Sequence, residues 1–276
     1  MSNGASSSKG YRGPRGKGPF RYRSHEDNHV IWPGRKEALL TFIQQSYGGI
    51  QHKFKNAHSS NSEDALTWSC FDVLAHVGDD ARRRAVAEIW ELAFDRLEAP
   101  EGVLSGKIEI GRRYGEEEAT EIDVSIEGPD VLVFFEAKLY SPMSQADLAK
   151  GKLHNQIERK LRVGLREADR AGKAFYFVLL DLAPLETLRA MKPGASLEEA
   201  THARAGGFGG KWITAYWFAR YKYGTRGSLS PLQKVIADIG LNGVNAKDVA
   251  MRMGWLTWAD LFKAVLRAVI ETTRPT

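Results

Sequence analysis

Residues 131–138, Val-Leu-Val-Phe-Phe-Glu-Ala-Lys, constrain the fold of this chain more than any other stretch. Five consecutive apolar residues between turn signals read as a strand covered on both faces, the place a parallel or mixed sheet gives its centre. The run ends in two ionisable residues, Glu136 and Lys138, which are costly to bury beside it without partners. Upstream, "GKIEIGRRY" (106–114) and "ATEIDVSIE" (119–127) alternate with period two, and Gly128-Pro129-Asp130 supplies a turn. Three strands with at least one hairpin follow from this pattern.

Helices are expected on either side. Ser62 is placed to cap a helix whose first turn carries Glu63 and Asp64 and whose apolar face includes Leu66, Phe71 and Leu74. A second helix is expected from about Asp80 to Leu97. After a loop near Pro142, a third has its firm part from about Leu153 to Ala171 and ends at Gly172. "KAFYFVLLDL" then reads as a buried strand. From about Trp212 the pattern is mainly helical, and "NAKDVAMRMGWLTWADLFKAVLRAV" reads as helix, turn at Gly254, helix. The fold class is α/β, with a disordered basic arm over residues 1–28, a core over 29–200 and a helical C-terminal extension over 201–276.

Charge is unevenly placed. Residues 1–24 hold six Lys and Arg and no acid, leaving 33 of the 39 basic residues against 34 acids in the remainder. An arm rich in Gly, Ser and Arg has too few apolar groups to offset the entropy of ordering it. Its arginines, interleaved with Tyr11, Phe20 and Tyr22, suit a nucleic-acid backbone and bases, and a solubilising tail is the alternative. No apolar run approaches the roughly 20 residues of a membrane span, and no secretory h-region is seen, so a cytoplasmic location is expected. The single cysteine, Cys70, excludes an intramolecular disulfide and reads as a packing thiol.

Which acid accompanies Glu136 depends on the hairpin. A two-residue loop at Gly128 and Pro129 sets Glu127 opposite Asp130 and Asp123 opposite Phe134, one diagonal step from Glu136. Asp123, Phe134, Glu136 and Lys138 then share a face, and Glu121 faces Glu136 as a competing or auxiliary acid. Asp130, six residues from Glu136 and so about 20 Å away along an extended strand, is a turn residue.

An aspartate on one strand, twelve intervening residues and then Glu-Ala-Lys at the end of the next, flanked by helices, resembles the PD-(D/E)xK or restriction-endonuclease-like nuclease superfamily. The likeness covers about residues 61–182. Ile122 stands at the nominal proline of the motif. The resemblance implies an αβββαβ core with a mixed sheet, and a metal-dependent endonuclease acting on DNA, in restriction, anti-phage defence or repair. It implies Asp123, Glu136 and the Ala137 carbonyl as ligands of Mg²⁺, with Mn²⁺ as substitute, and Lys138 as the residue that orients or deprotonates the attacking water. Glu63, with Asp64 as alternative, matches an acid that many members place on the first helix, and Gln156 matches a polar position on the second. These residue types suit a hard cation that keeps several waters while polarising a phosphate. An RNA-directed nuclease and a non-catalytic subunit of the same fold are the alternatives, and a near-neutral core leaves affinity to a local patch, the arm, a homodimer or a partner protein.

Two further motifs carry less. "HEDNH" (25–29) matches HExxH, but it runs into "VIWPG", poor context for a helix, and reads as a chance match. "GGFGG" lacks the lysine of a P-loop.

Overall fold

The computed structural model of the protein describes residues 10–12, 19–45, 52–95, 97–116, 118–141, 143–147, 149, 153–191, 194–202 and 211–273. Two units separate between Val73 and Leu74.

In the first unit, part of the segment expected to be disordered is ordered. Strand β1 (Gly10–Arg12) pairs antiparallel with β2 (Phe20–Tyr22). The segment after α2 secures β2: the Tyr22 N–H donates to the His58 carbonyl (2.8 Å), and the Ser60 N–H donates to the Phe20 carbonyl (2.9 Å). Backbone hydrogen bonds thus supply what the composition lacks. Residues 1–9 and 13–18 of the arm lie outside the described residues. Helices α1 (Lys36–Ile43), α2 (His52–Asn56) and α3 (Glu63–His76) complete the unit, α3 running across the boundary. The Ser62 hydroxyl accepts from the Ala65 N–H at 3.2 Å, capping α3 as expected. Burial pushes the Cys70 thiol up to about 12, consistent with a packing role.

The second unit is built on a mixed sheet of order β3-β4-β5-β6-β7. Strands β3 (Lys107–Tyr114), β4 (Thr120–Glu127) and β5 (Val131–Ala137) are antiparallel neighbours; β6 (Ala174–Asp181) and β7 (Met253–Thr257) continue parallel to β5. Every residue of β5 is buried, as its unbroken apolar run requires. Helix α4 (Asp79–Ala93) covers one face, with the Trp90 ring 4.7 Å from that of Tyr176 on β6. Helix α6 (Gln156–Arg170) lies on the opposite face, where Gly164 packs so closely on the Phe175 ring that a Cβ would stand 2.1 Å from it. The remaining helices are α5 (Glu101–Leu104), α7 (Leu185–Met191), α8 (Leu197–His202), α9 (Trp212–Lys222), α10 (Ser230–Asp238), α11 (Ala246–Met251) and α12 (Trp258–Thr273). Helix α12 is tied to α4 by Arg84–Glu271 (2.8 Å) and by Arg267–Glu88.

Three expectations are corrected. Helix α4 ends at Ala93, short of Leu97, and α6 begins at Gln156, where Asn155 caps it by accepting from the Glu158 N–H (3.0 Å); Leu153 stays exposed. The turn expected at Gly254 is the fifth strand, in which a Cβ would meet the Ala93 carbonyl and the Phe94 ring at 2.9 Å. Glycine there serves close approach of the backbone, not a bend. Finally, Glu127 pairs with Leu132, not Asp130, and the Gly128 N–H donates to the Val131 carbonyl (3.0 Å), so the register is shifted by two and the turn centres on Pro129 and Asp130. Helix α5 packs against this turn: a Cβ on Gly128 would lie 2.0 Å from the Gly102 carbonyl oxygen, and one on Gly102 would lie 1.9 Å from Asp130 Oδ1.

The HEDNH stretch folds as a 3-10 turn, Glu26–Asn28, with a bond of 2.6 Å between His29 Nδ1 and the His25 carbonyl. The His25 and His58 rings lie 6.1 Å apart, and Nε2 of both His25 and His29 is buried without a hydrogen-bond partner among the described residues. Burial lowers the pKa of both, aided for His25 by His58 and Lys36 against the pull of Glu26. A lowered histidine pKa means that the unfolded chain takes up the proton first as pH falls. The first unit should therefore hold full stability above the ordinary histidine pKa of about 6.5 and lose it as pH falls below that value. Urea midpoints followed by amide hydrogen exchange of peptides from the first unit from pH 7.5 to 5 test this; replacing His29 by Gln should flatten the profile, and an equally steep one would refute the cause.

Candidate active site

The end of β5 gathers three of the buried charged groups of the second unit, Glu136, Lys138 and Lys160. Glu136 is fully buried, and Lys138, one residue beyond the strand, nearly so. The Lys138 backbone is held from two sides: its N–H donates to the Leu180 carbonyl (2.7 Å), and its carbonyl accepts from Trp258 Nε1 (2.9 Å). Its ammonium lies 2.7 Å from Glu136 Oε1 and 2.7 Å from the Ala137 carbonyl oxygen. From β4, Asp123 Oδ2 accepts from the Ala137 N–H at 2.7 Å.

The two-residue change in register alters which acids are opposite. Continuing the observed pairing of Val124 with Phe135 puts Asp123 opposite Glu136, not Phe134, and moves Glu121 to a place opposite Lys138, not Glu136. An even shift preserves the parity on which convergence depended. Asp130 remains in the turn beside α5.

Lys160 was not among the expected site residues. It lies one turn beyond Gln156 on α6, is buried, and brings its ammonium to 3.1 Å from Glu136 Oε2 while donating to the Glu121 carbonyl. A signal was present: Lys160 falls within the stripe Ile157, Leu161, Gly164, Ala168, where helical periodicity calls for apolar side chains. Gln156 itself accepts from the Ser144 N–H (3.2 Å), and its own N–H donates to the Ser144 carbonyl (2.9 Å). It positions the loop between β5 and α6. Glu63, half-buried, opens α3 and belongs to the first unit.

Burial raises the free energy of charge on Glu136, but Lys138 and Lys160 outweigh it and hold the carboxyl below its ordinary range. The interior therefore contains a charged carboxylate between two ammoniums, with Asp123 and Glu121 partly exposed at its margin. Among the described residues there is no cluster of three or more His, Cys, Asp and Glu side chains arranged to hold a metal. A cation at this place would thus have two carboxylates, Asp123 and Glu136, and the Ala137 carbonyl, with water completing its shell. That hard-oxygen set suits Mg²⁺, although Glu136 Oε2 faces the Lys160 ammonium at 3.1 Å. The Lys138 ammonium now bridges two of the three donors.

Comparison with known proteins finds no matching family model, no similar curated protein and no matching solved structure.

Removing the central charge should be severe. Glu136→Gln leaves two ammoniums buried against one neutral amide and is expected to cost about 3–5 kcal/mol in urea unfolding. A loss under about 1 kcal/mol would show that water reaches the cluster.

Proposed function

We propose that the second unit is a metal-dependent phosphodiesterase with the core arrangement of the PD-(D/E)xK nucleases, acting on DNA in preference to RNA. The observation that supports this is the meeting of Asp123, Glu136 and Lys138 around the Ala137 peptide, its N–H on Asp123 and its carbonyl on Lys138. Asp123, Glu136 and the Ala137 carbonyl would hold Mg²⁺ or Mn²⁺, which when bound polarises a phosphate and acidifies water. Lys138 would turn from Glu136 toward solvent, orient the attacking water and meet the negative charge that develops on the phosphate. Lys160 would stay behind as the counter-charge that keeps Glu136 ionised. Trp258 fixes the Lys138 backbone, so the side chain swings from a stationary root.

Restriction, defence and repair are the settings in which such an activity would serve. No helix among the described residues is long and apolar enough to cross a membrane. A second reading has its own observation: Glu136 is fully buried and already matched by two lysines, as a purely structural ion cluster in a binding subunit would be.

Cleavage of plasmid, linear duplex, single-stranded DNA and RNA in Mg²⁺, Mn²⁺ or EDTA separates the two. The nuclease reading expects metal-dependent cutting that falls at least about 100-fold in Asp123→Ala and Lys138→Ala and survives in Asp130→Ala. Cutting retained in the first two variants refutes the site. Absence of cutting by the wild type on every substrate favours the binding subunit.

A further inference from the structure

Helices α7 and α9 and the turn after α9 border an open cavity of about 930 Å³ in the second unit, lined by none of the candidate active-site residues. Three guanidiniums, Arg189, Arg220 and Arg226, and three aromatic rings, Trp212, Tyr216 and Tyr223, form much of its wall. One carboxylate, Glu186, shares it, so the lining carries an excess of positive charge.

These arginines differ from several others of the unit. Arg83, Arg84, Arg112, Arg162 and Arg267 each meet a carboxylate. Arg189 instead lies over the Tyr223 ring at 4.7 Å and Arg220 over the Trp217 ring at 5.8 Å, and neither they nor Arg226 pairs with a carboxylate among the described residues. Arg226 is also held in an unfavourable backbone conformation. It and Gly227 have φ of 51° and 79° in a tight turn closed by reciprocal bonds between Thr225 and Ser228 (2.8 and 3.0 Å). Such turns favour Asn, Asp or Gly at the first central position. Arginine there carries backbone strain at a residue that lines the cavity.

Guanidiniums not committed to carboxylates bind phosphate through paired N–H groups, and exposed aromatic faces stack on planar bases. The volume lies within the range of small-molecule sites. We infer that this cavity binds a nucleoside phosphate, with the base on the aromatic wall and the phosphate on Arg189, Arg220 and Arg226. The ligand is either a free nucleotide or the phosphorylated end of a nucleic-acid strand. This inference does not rest on the nuclease reading.

The test is titration of the full chain with ATP, GTP, inorganic phosphate and a 5′-phosphorylated ten-nucleotide single strand, read by calorimetry and tryptophan fluorescence. Saturable binding of nucleotides or of the oligonucleotide, at least about tenfold tighter than inorganic phosphate, is expected; which of the two binds identifies the source. Arg226→Gly should weaken binding at least about tenfold without lowering the melting temperature, because glycine suits the turn. Arg220→Gln should also weaken it, and Lys138→Ala should leave it unchanged. No saturable binding of any probe, phosphate binding as tight as nucleotide, or unaltered affinity in both arginine variants would overturn the inference.

Discussion

A carboxylate withdrawn from water, Glu136, governs the arrangement of the second unit. Its desolvation costs on the order of several kcal/mol unless opposite charge is brought to it. The two charges that answer it come from different directions: Lys138 from the end of β5 and Lys160 from the helix above. Lys160 also reaches the backbone of β4 at Glu121. Helix α6, β4 and β5 are thus bound at one point by electrostatics, whereas α6 meets β6 through apolar packing, Gly164 on Phe175. Dispersion tolerates small slides; a buried ion cluster fixes register.

The hairpin and the covered strand were legible because both are local. Period two in 119–127 and the apolar run 131–135 state their environments directly, and the helix, three strands, helix, strand order follows from them. The register was not legible, because the turn packs against Gly102 on a helix earlier in the chain, a contact the local pattern does not carry. The strand at 253–257 was hidden for a similar reason. Five residues between two helical patterns show no alternation of their own, and its backbone is accommodated by the turn at Ala93 and Phe94. Sequence periodicity reports which face is buried, not what a glycine makes room for.

The site was legible in a different measure. Asp123 and Glu136 were paired through a register that was two residues off, and their convergence persisted because an even error keeps each side chain on its face. Lys160 was missed because a lysine in a charged-looking helix, "QIERKLR", is ordinarily a solvated one. Its position on the apolar stripe, beside Ile157 and Leu161, carried the information that its residue type concealed.

The Trp258 indole that donates to the Lys138 carbonyl stands 120 residues further along the chain. With β7 beside it, this contact places the completion of the sheet, and of the support under Lys138, after the synthesis of β3 to β6. Strands β3 to β6 can pair earlier, yet they do so with one side of β6 open. Until residues 253–258 arrive, the nascent unit presents an unprotected strand edge, the surface on which chains associate wrongly. The ordering of this interior therefore sets a demand on how the protein is made: a segment synthesised more than 70 residues after β6 must close the edge of a sheet whose hydrophobic centre already exists.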